Sequence, residues 1–208
     1  MAIKLIKVMV FISVFIAPGV HITFGAVVIS QYDRDQYGQW TDNDGNGRNT
    51  RHELLAELST TPPTFSTNGK YVTHGRWVSP WTGEVHFSAS EIDIDHTIPL
   101  AYAHLRGAAK WSTTQKRAFA NDTRNLQAVE ATLNRQKGSS GVTEWTPPKN
   151  KCQYVLRFHR LMRVYGLTYM EWEIAPLNEL LITCNGNPIQ HKNDKETQVV
   201  PDNQKVVQ

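Results

Sequence analysis

Two cysteines, no marked excess of either charge and no second long apolar run narrow the reading of this 208-residue chain before any motif is considered. Cys152 and Cys184 have no CxxC spacing around them, so they do not make a zinc site. Basic residues outnumber acidic ones by only 22 to 19, so nucleic-acid binding would require a local basic patch rather than a globally basic surface. There is no HExxH, which removes the common zinc metalloprotease signature. No helix-turn-helix or zinc-finger module is present to read bases, and no internal repeat is found. The length suits one domain with a real core.

The N-terminus carries the one apolar run. Lys4 and Lys7 precede it at 8–17, and Pro18-Gly19 and the small-residue region Thr23-Phe24-Gly25-Ala26 follow. This is the layout of a secretory signal peptide spanning 1–25. The run is short for a membrane span of roughly 20 residues, and nothing later is long and apolar enough to cross a bilayer. Removing 1–25 takes two lysines and no acid, leaving a net charge of +1. The expected product is secreted or periplasmic, off the membrane in its mature form. In an oxidising compartment the natural reading of Cys152 and Cys184 is one disulfide, the alternative being two separate buried thiols. Such a bridge would tie the start of one C-terminal helix to the end of the last and contribute on the order of 3 kcal/mol.

The stretch 91–138 organises the rest. Ile92 and Ile94 alternate with acidic residues, which predicts a short strand ending at Asp95-His96, with a turn at Thr97-Ile98-Pro99. A second strand is predicted at 125–129, and a helix at 131–137 ended by Gly138. Asp95 (carboxylate) and Asn134 (amide carbonyl) suit a hard divalent cation that keeps places for water and phosphate. A histidine ordinarily titrates near neutrality, so His96 is expected to accept a proton from an attacking water. That inventory fits phosphodiester hydrolysis.

These residues resemble the ββα-metal (HNH, His-Me finger) nuclease motif in its Asp-His…Asn…Asn form. The chain is similar to the C-terminal nuclease domain of GmrSD-type restriction enzymes and to small secreted bacterial nucleases that share it. The Asp-x-Asp-His start and the Asn…Asn-Arg-x-Lys ending also resemble the HNH domain of CRISPR effector nucleases. The resemblance implies an α+β fold with a small ββα-metal core, surrounding helices and one disulfide. It implies Asp95 and Asn134 as metal ligands, His96 as general base and Asn125 as the brace of the loop carrying His96. Asn134 stands where other members have a histidine, which favours Mg²⁺ or Mn²⁺ over Zn²⁺. Asp93 is either a supporting carboxylate behind the site or only the polar face of the strand.

The remaining chain supplies candidates of lower specificity. Asp42, Asp44 and Asn46 alternate as in a calcium loop, with Glu53 at the twelfth position, so Ca²⁺ is one reading of 42–53 and a polar turn capping a helix at 51–58 the other. This block resembles the N-terminal part of the same secreted nucleases, where Trp-x-Asp-x-Asp-Gly and Thr-Arg recur. Arg51 is the first phosphate candidate outside the motif, or pairs with Asp42 or Asp44. Residues 71–77 read as a strand and 80–83 as a turn. Ser112 and Gln115 form a capping box opening a helix to about Asn121. Arg135 and Lys137 flank Asn134 and are natural phosphate partners. Helices are predicted at 154–165, with arginines on its wet face, and at 176–184. The stretch 185–208 is polar and reads as a disordered tail.

Three functions follow as expectations. The first is an exported, sequence-nonspecific, metal-dependent endonuclease with its domain at 26–184, a monomer acting on DNA and also RNA. The second is a catalytically silent nucleic-acid-binding relative. The third is a Ca²⁺-binding exported structural domain. Nothing in the sequence names an immunity or inhibitor protein.

Overall fold

The computed structural model describes residues 31–189. The expected signal peptide, and the tail from 190 onward, lie outside the described residues. The fold is α+β. A first antiparallel sheet joins β1 (Thr64–Phe65), β2 (Val72–Val78) and β3 (Val85–Ser88) in that order. A second pairs β4 (Ile92–His96) with β5 (Leu126–Glu130) in an unbroken antiparallel register, Ile92 opposite Glu130 and His96 opposite Leu126. The helices are α1 (Thr50–Glu57), α2 (Leu100–Leu105), α3 (Thr113–Ala120), α4 (Ala131–Lys137), α5 (Lys151–Val164) and α6 (Glu171–Thr183).

Local signals account for most of these boundaries. Asn49 caps α1 by accepting the His52 N–H. Ser112 and Gln115 make the reciprocal capping box of α3. α4 follows β5 without a linker and stops at Gly138, whose φ of 53° is a left-handed conformation that a side chain would resist. In α5 the buried residues Tyr154, Val155, Phe158, Leu161 and Met162 recur at helical spacing and form one inward stripe.

The C-terminal part departs from the sequence expectation at two points. α6 begins at Glu171, with Pro176 inside it, although proline signals a helix start. Its first turn is fixed by one local and two tertiary partners: buried Glu173 accepts from the nearby Met170 N–H, from Tyr102 Oη at 2.6 Å and from the Arg106 guanidinium at 2.8 Å. Residues 185–189 are also part of the folded unit rather than the start of a tail. The Asn178 side chain bonds both the N–H and the C=O of Ile189, which packs on the core.

Two apolar clusters flank the β4–β5 pair. Ile92, Ile94, Leu126 and Ala128 join Leu54, Leu55, Val72 and Trp77 on one face. Val129 lies in the larger cluster built from α2, α3, α5 and α6. Alternation along each strand separates the two sets. Cys152, in the first turn of α5, is bonded to Cys184, just past α6, with Cα atoms 5.1 Å apart. No helix among the described residues is long and apolar enough to cross a membrane.

Candidate active site on the strand pair and helix α4

His96 ends β4, with Trp40, Phe119 and Ala120 around its imidazole. Its Nε2 lies 2.7 Å from the carbonyl oxygen of Ala120. A carbonyl only accepts, so Nε2 carries the proton and Nδ1 is left as the basic lone pair. The imidazole is stacked on Trp40, with centroids 5.3 Å apart and planes 7° apart, and Phe119 lies behind it at 6.5 Å. Burial pushes the His96 pKa down to about 4, against the upward pull of the Ala120 carbonyl. The ring is therefore neutral, and in its proton-accepting form, at neutral pH.

The loop after His96 is fixed by Asn125, a fully buried residue in the 3-10 turn just ahead of β5 rather than in the strand. Its side chain accepts the Ile98 N–H at 2.9 Å and donates to the Ile98 C=O at 3.1 Å. Its own carbonyl accepts the Thr97 N–H. Asn125 thus replaces a strand partner exactly where Pro99 prevents the ladder from continuing.

Asp93 and Asp95 both meet side chains of α4. Asn134 donates its amide N–H to Asp93 Oδ2 at 3.1 Å, which leaves its carbonyl oxygen as the free acceptor. Asp93 therefore orients Asn134, and His96 takes its partner from the backbone instead. Asp95 is buried and pairs with Lys137 Nζ at 2.8 Å; the same ammonium donates to the His96 carbonyl at 2.9 Å. Burial raises the Asp95 pKa, and Lys137 opposes that rise. One face of α4 thus delivers both Asn134 and Lys137 to β4.

Two of the residues expected to meet phosphate make contacts within the protein. Lys137 is only 1% exposed, and its ammonium is held by Asp95 and the His96 carbonyl. The half-buried Arg51 guanidinium donates to the carbonyl oxygens of Ala89 and Ile92 and secures the entry to β4; neither Asp42 nor Asp44 is its partner. Arg135 is exposed on α4, one residue from Asn134. In the 42–53 loop the Asp42 carboxylate accepts the Gly45 and Gly47 N–H groups, and Glu53 accepts from Asn46 and Arg48. The loop is closed by its own donors.

Three contributors escaped the sequence. Trp40 opens the Trp-x-Asp-x-Asp-Gly stretch, but nothing there pointed to His96. The Ala120 carbonyl is backbone and has no side-chain signature. Asn121 read as a helix-end turn, yet its Oδ1 accepts from Thr41 N and Thr50 Oγ1 and its Nδ2 donates to Gln39 O, gripping the chain on both sides of Trp40. Lys137 was in principle legible: three residues after Asn134 it falls on the same helical face.

No solved structure matches the chain. It is 35% identical over 158 residues to an uncharacterized secreted protein of Arthroderma benhamiae, an alignment covering 74% of this chain and 76% of that one. The family model of the C-terminal domain of GmrSD restriction endonucleases matches residues 34–183, a span that includes Trp40, His96, Asn125, Asn134 and Lys137. The chain belongs to that family.

Proposed function

We propose that the protein is an exported, divalent-metal-dependent endonuclease of the ββα-metal (HNH) type, hydrolysing phosphodiester bonds of DNA and also of RNA with little sequence specificity. The observation that carries this reading is the state of His96: Nε2–H is committed to the Ala120 carbonyl, so Nδ1 is a neutral, oriented base. The similarity to a secreted protein of Arthroderma benhamiae supports export, as does the disulfide.

The donor set fits a hard cation. Asn134 has its carbonyl oxygen free while its nitrogen is held by Asp93, and the Asp95 carboxylate keeps lone pairs beyond those that accept from Lys137 and from the His96 N–H. Asp95 and Asn134 would hold Mg²⁺ or Mn²⁺, which supplies stabilisation of charge on the phosphate and the leaving oxygen. His96 Nδ1 takes the proton of the attacking water. Asn125 keeps His96 from shifting by fixing Ile98. Arg135, exposed beside Asn134, is placed to meet the flanking phosphate.

The test is cleavage of supercoiled plasmid by the disulfide-bonded protein with Mg²⁺, with EDTA and with His96→Ala. Metal-dependent cleavage that falls at least about a hundredfold in the variant is expected. Full activity in His96→Ala would remove the base assignment. Inertness toward plasmid, single strands and RNA with any divalent metal would remove the enzyme.

A further inference from the structure

A second set of metal-ligating groups lies at the other end of the strand pair from His96. One ligand atom each from Glu84, His86 and Glu130 lie within 4.8 Å of one another. They come from separate parts of the fold: the β2–β3 turn, strand β3, and the last residue of β5, which is also the residue from which α4 starts. Glu130 is a buried carboxylate held by two hydroxyls, Ser79 Oγ at 2.5 Å and Thr82 Oγ1. His86 has its Nδ1 3.4 Å from Glu91 Oε2, whereas its Nε2 is buried and has no hydrogen-bond partner.

An imidazole nitrogen left unpartnered in the interior is unfavourable unless something occupies it. A ring flanked by a carboxylate at one nitrogen, with carboxylates converging near it, is the arrangement that orients histidine toward a metal. The outer support is also present at Glu130, where Ser79 and Thr82 fix the carboxylate. We propose that Glu84, His86 and Glu130 form a divalent-metal site, distinct from the Asp95–Asn134 site, that takes Zn²⁺ with water as its fourth ligand. One nitrogen and two carboxylate oxygens suit a borderline cation better than Mg²⁺ or Ca²⁺. Zinc bonds of about 2.1 Å place ligand atoms roughly 3.4 Å apart, closer than the 4.8 Å limit here. Glu84 is exposed and is the side chain free to close that gap. The bound ion would fasten the three-stranded sheet to the junction of β5 and α4.

The proposal does not depend on nuclease activity and is tested without it. Chelator-stripped, disulfide-bonded protein is titrated with Zn²⁺ by calorimetry and with Co²⁺ by visible absorption, alongside His86→Ala, Glu84→Gln and Asn134→Ala. The expected result is one equivalent of Zn²⁺, with a Co²⁺ visible band, retained in Asn134→Ala and lost in His86→Ala. Glu84→Gln, an exposed change that leaves the fold intact, should weaken Zn²⁺ binding at least about tenfold. Zn²⁺ should also raise the melting temperature of the unmodified protein and not that of His86→Ala. An unchanged isotherm in Glu84→Gln and His86→Ala, or no Zn²⁺ binding by the unmodified protein, overturns the site. If His86→Ala does not fold, the Glu84→Gln isotherm alone decides.

Discussion

The Trp40 indole lies parallel to the His96 imidazole, centroids 5.3 Å apart and planes within 7°. This contact, together with the Ala120 carbonyl, determines how the candidate base is held: the carbonyl fixes one nitrogen, and the indole fixes the plane of the ring. Trp40 is itself held by Asn121, which bonds residues on both sides of it. Asn121 is therefore a positioning residue for His96 at one remove.

Truncation of Trp40 should loosen His96 without removing a reacting group. Misplacement of a catalytic group by about 1 Å can cost a hundredfold, so Trp40→Ala should lower the cleavage rate about 10- to 100-fold, mainly in kcat. Trp40→Phe should retain most of it. Asn121→Ala should act through the same indole, so the double variant should be no slower than Trp40→Ala. Fully multiplicative losses would show that Asn121 has another role.

Asn125→Ala would leave the buried N–H and C=O of Ile98 without partners. Each unsatisfied buried group costs about 1–3 kcal/mol, so a loss of about 2–4 kcal/mol in urea denaturation is expected, with little change in m. Asn125→Asp keeps an acceptor, loses the donor and buries a charge, and should be at least as damaging. A loss below about 1 kcal/mol for both would show that the loop does not need the brace.

How much of this was legible depended on the range of the interaction. Ile92, Ile94, the Asp95-His96 pair and the Gly138 stop delimit β4 and α4 by local pattern, and the structure places those elements within a residue of expectation. The pairing of β4 with β5 was implied only by the family resemblance. By contrast, β1 and β3 are short pieces in a Ser/Thr/Pro/Gly-rich stretch with no usable alternation. The start of α6 was hidden because Glu173 is fixed by Tyr102 and Arg106, far away in sequence. At the site, the residue types were visible but their partners were not. Lys137 looked like a surface cation until α4 docked on Asp95, and Trp40 meets His96 only through the tertiary fold.

His52 gives the stability a pH dependence that can be assigned. Its Nδ1 accepts the Val72 N–H at 3.1 Å, which requires an unprotonated nitrogen. Burial lowers its pKa, and Arg51 lowers it further. With the folded value below the unfolded one of about 6.5, the unfolded chain binds the proton first. Stability is thus full above that pH and declines as pH falls through the folded value. His52→Gln can still accept from Val72 but does not titrate, so its urea midpoint should fall less than that of the unmodified protein between pH 7 and pH 5. Parallel pH profiles would remove His52 from the acid response.

The Asp95–Lys137 pair offers the most direct link between the fold and the proposed cation. Both groups are buried and 2.8 Å apart. Removing one partner of such a pair strands the other charge and costs about 3–5 kcal/mol. Lys137→Met should therefore lower stability by that order in EDTA. If Asp95 is a metal ligand, a divalent cation can compensate the stranded carboxylate. Saturating Mn²⁺ should then raise the melting temperature of Lys137→Met by several degrees more than that of the unmodified protein. Asp95→Asn combined with Lys137→Met, which removes both charges, should recover much of the stability in EDTA and lose the Mn²⁺ response. An equal Mn²⁺ shift in all three proteins would place the cation elsewhere and leave Lys137 as the permanent partner of Asp95.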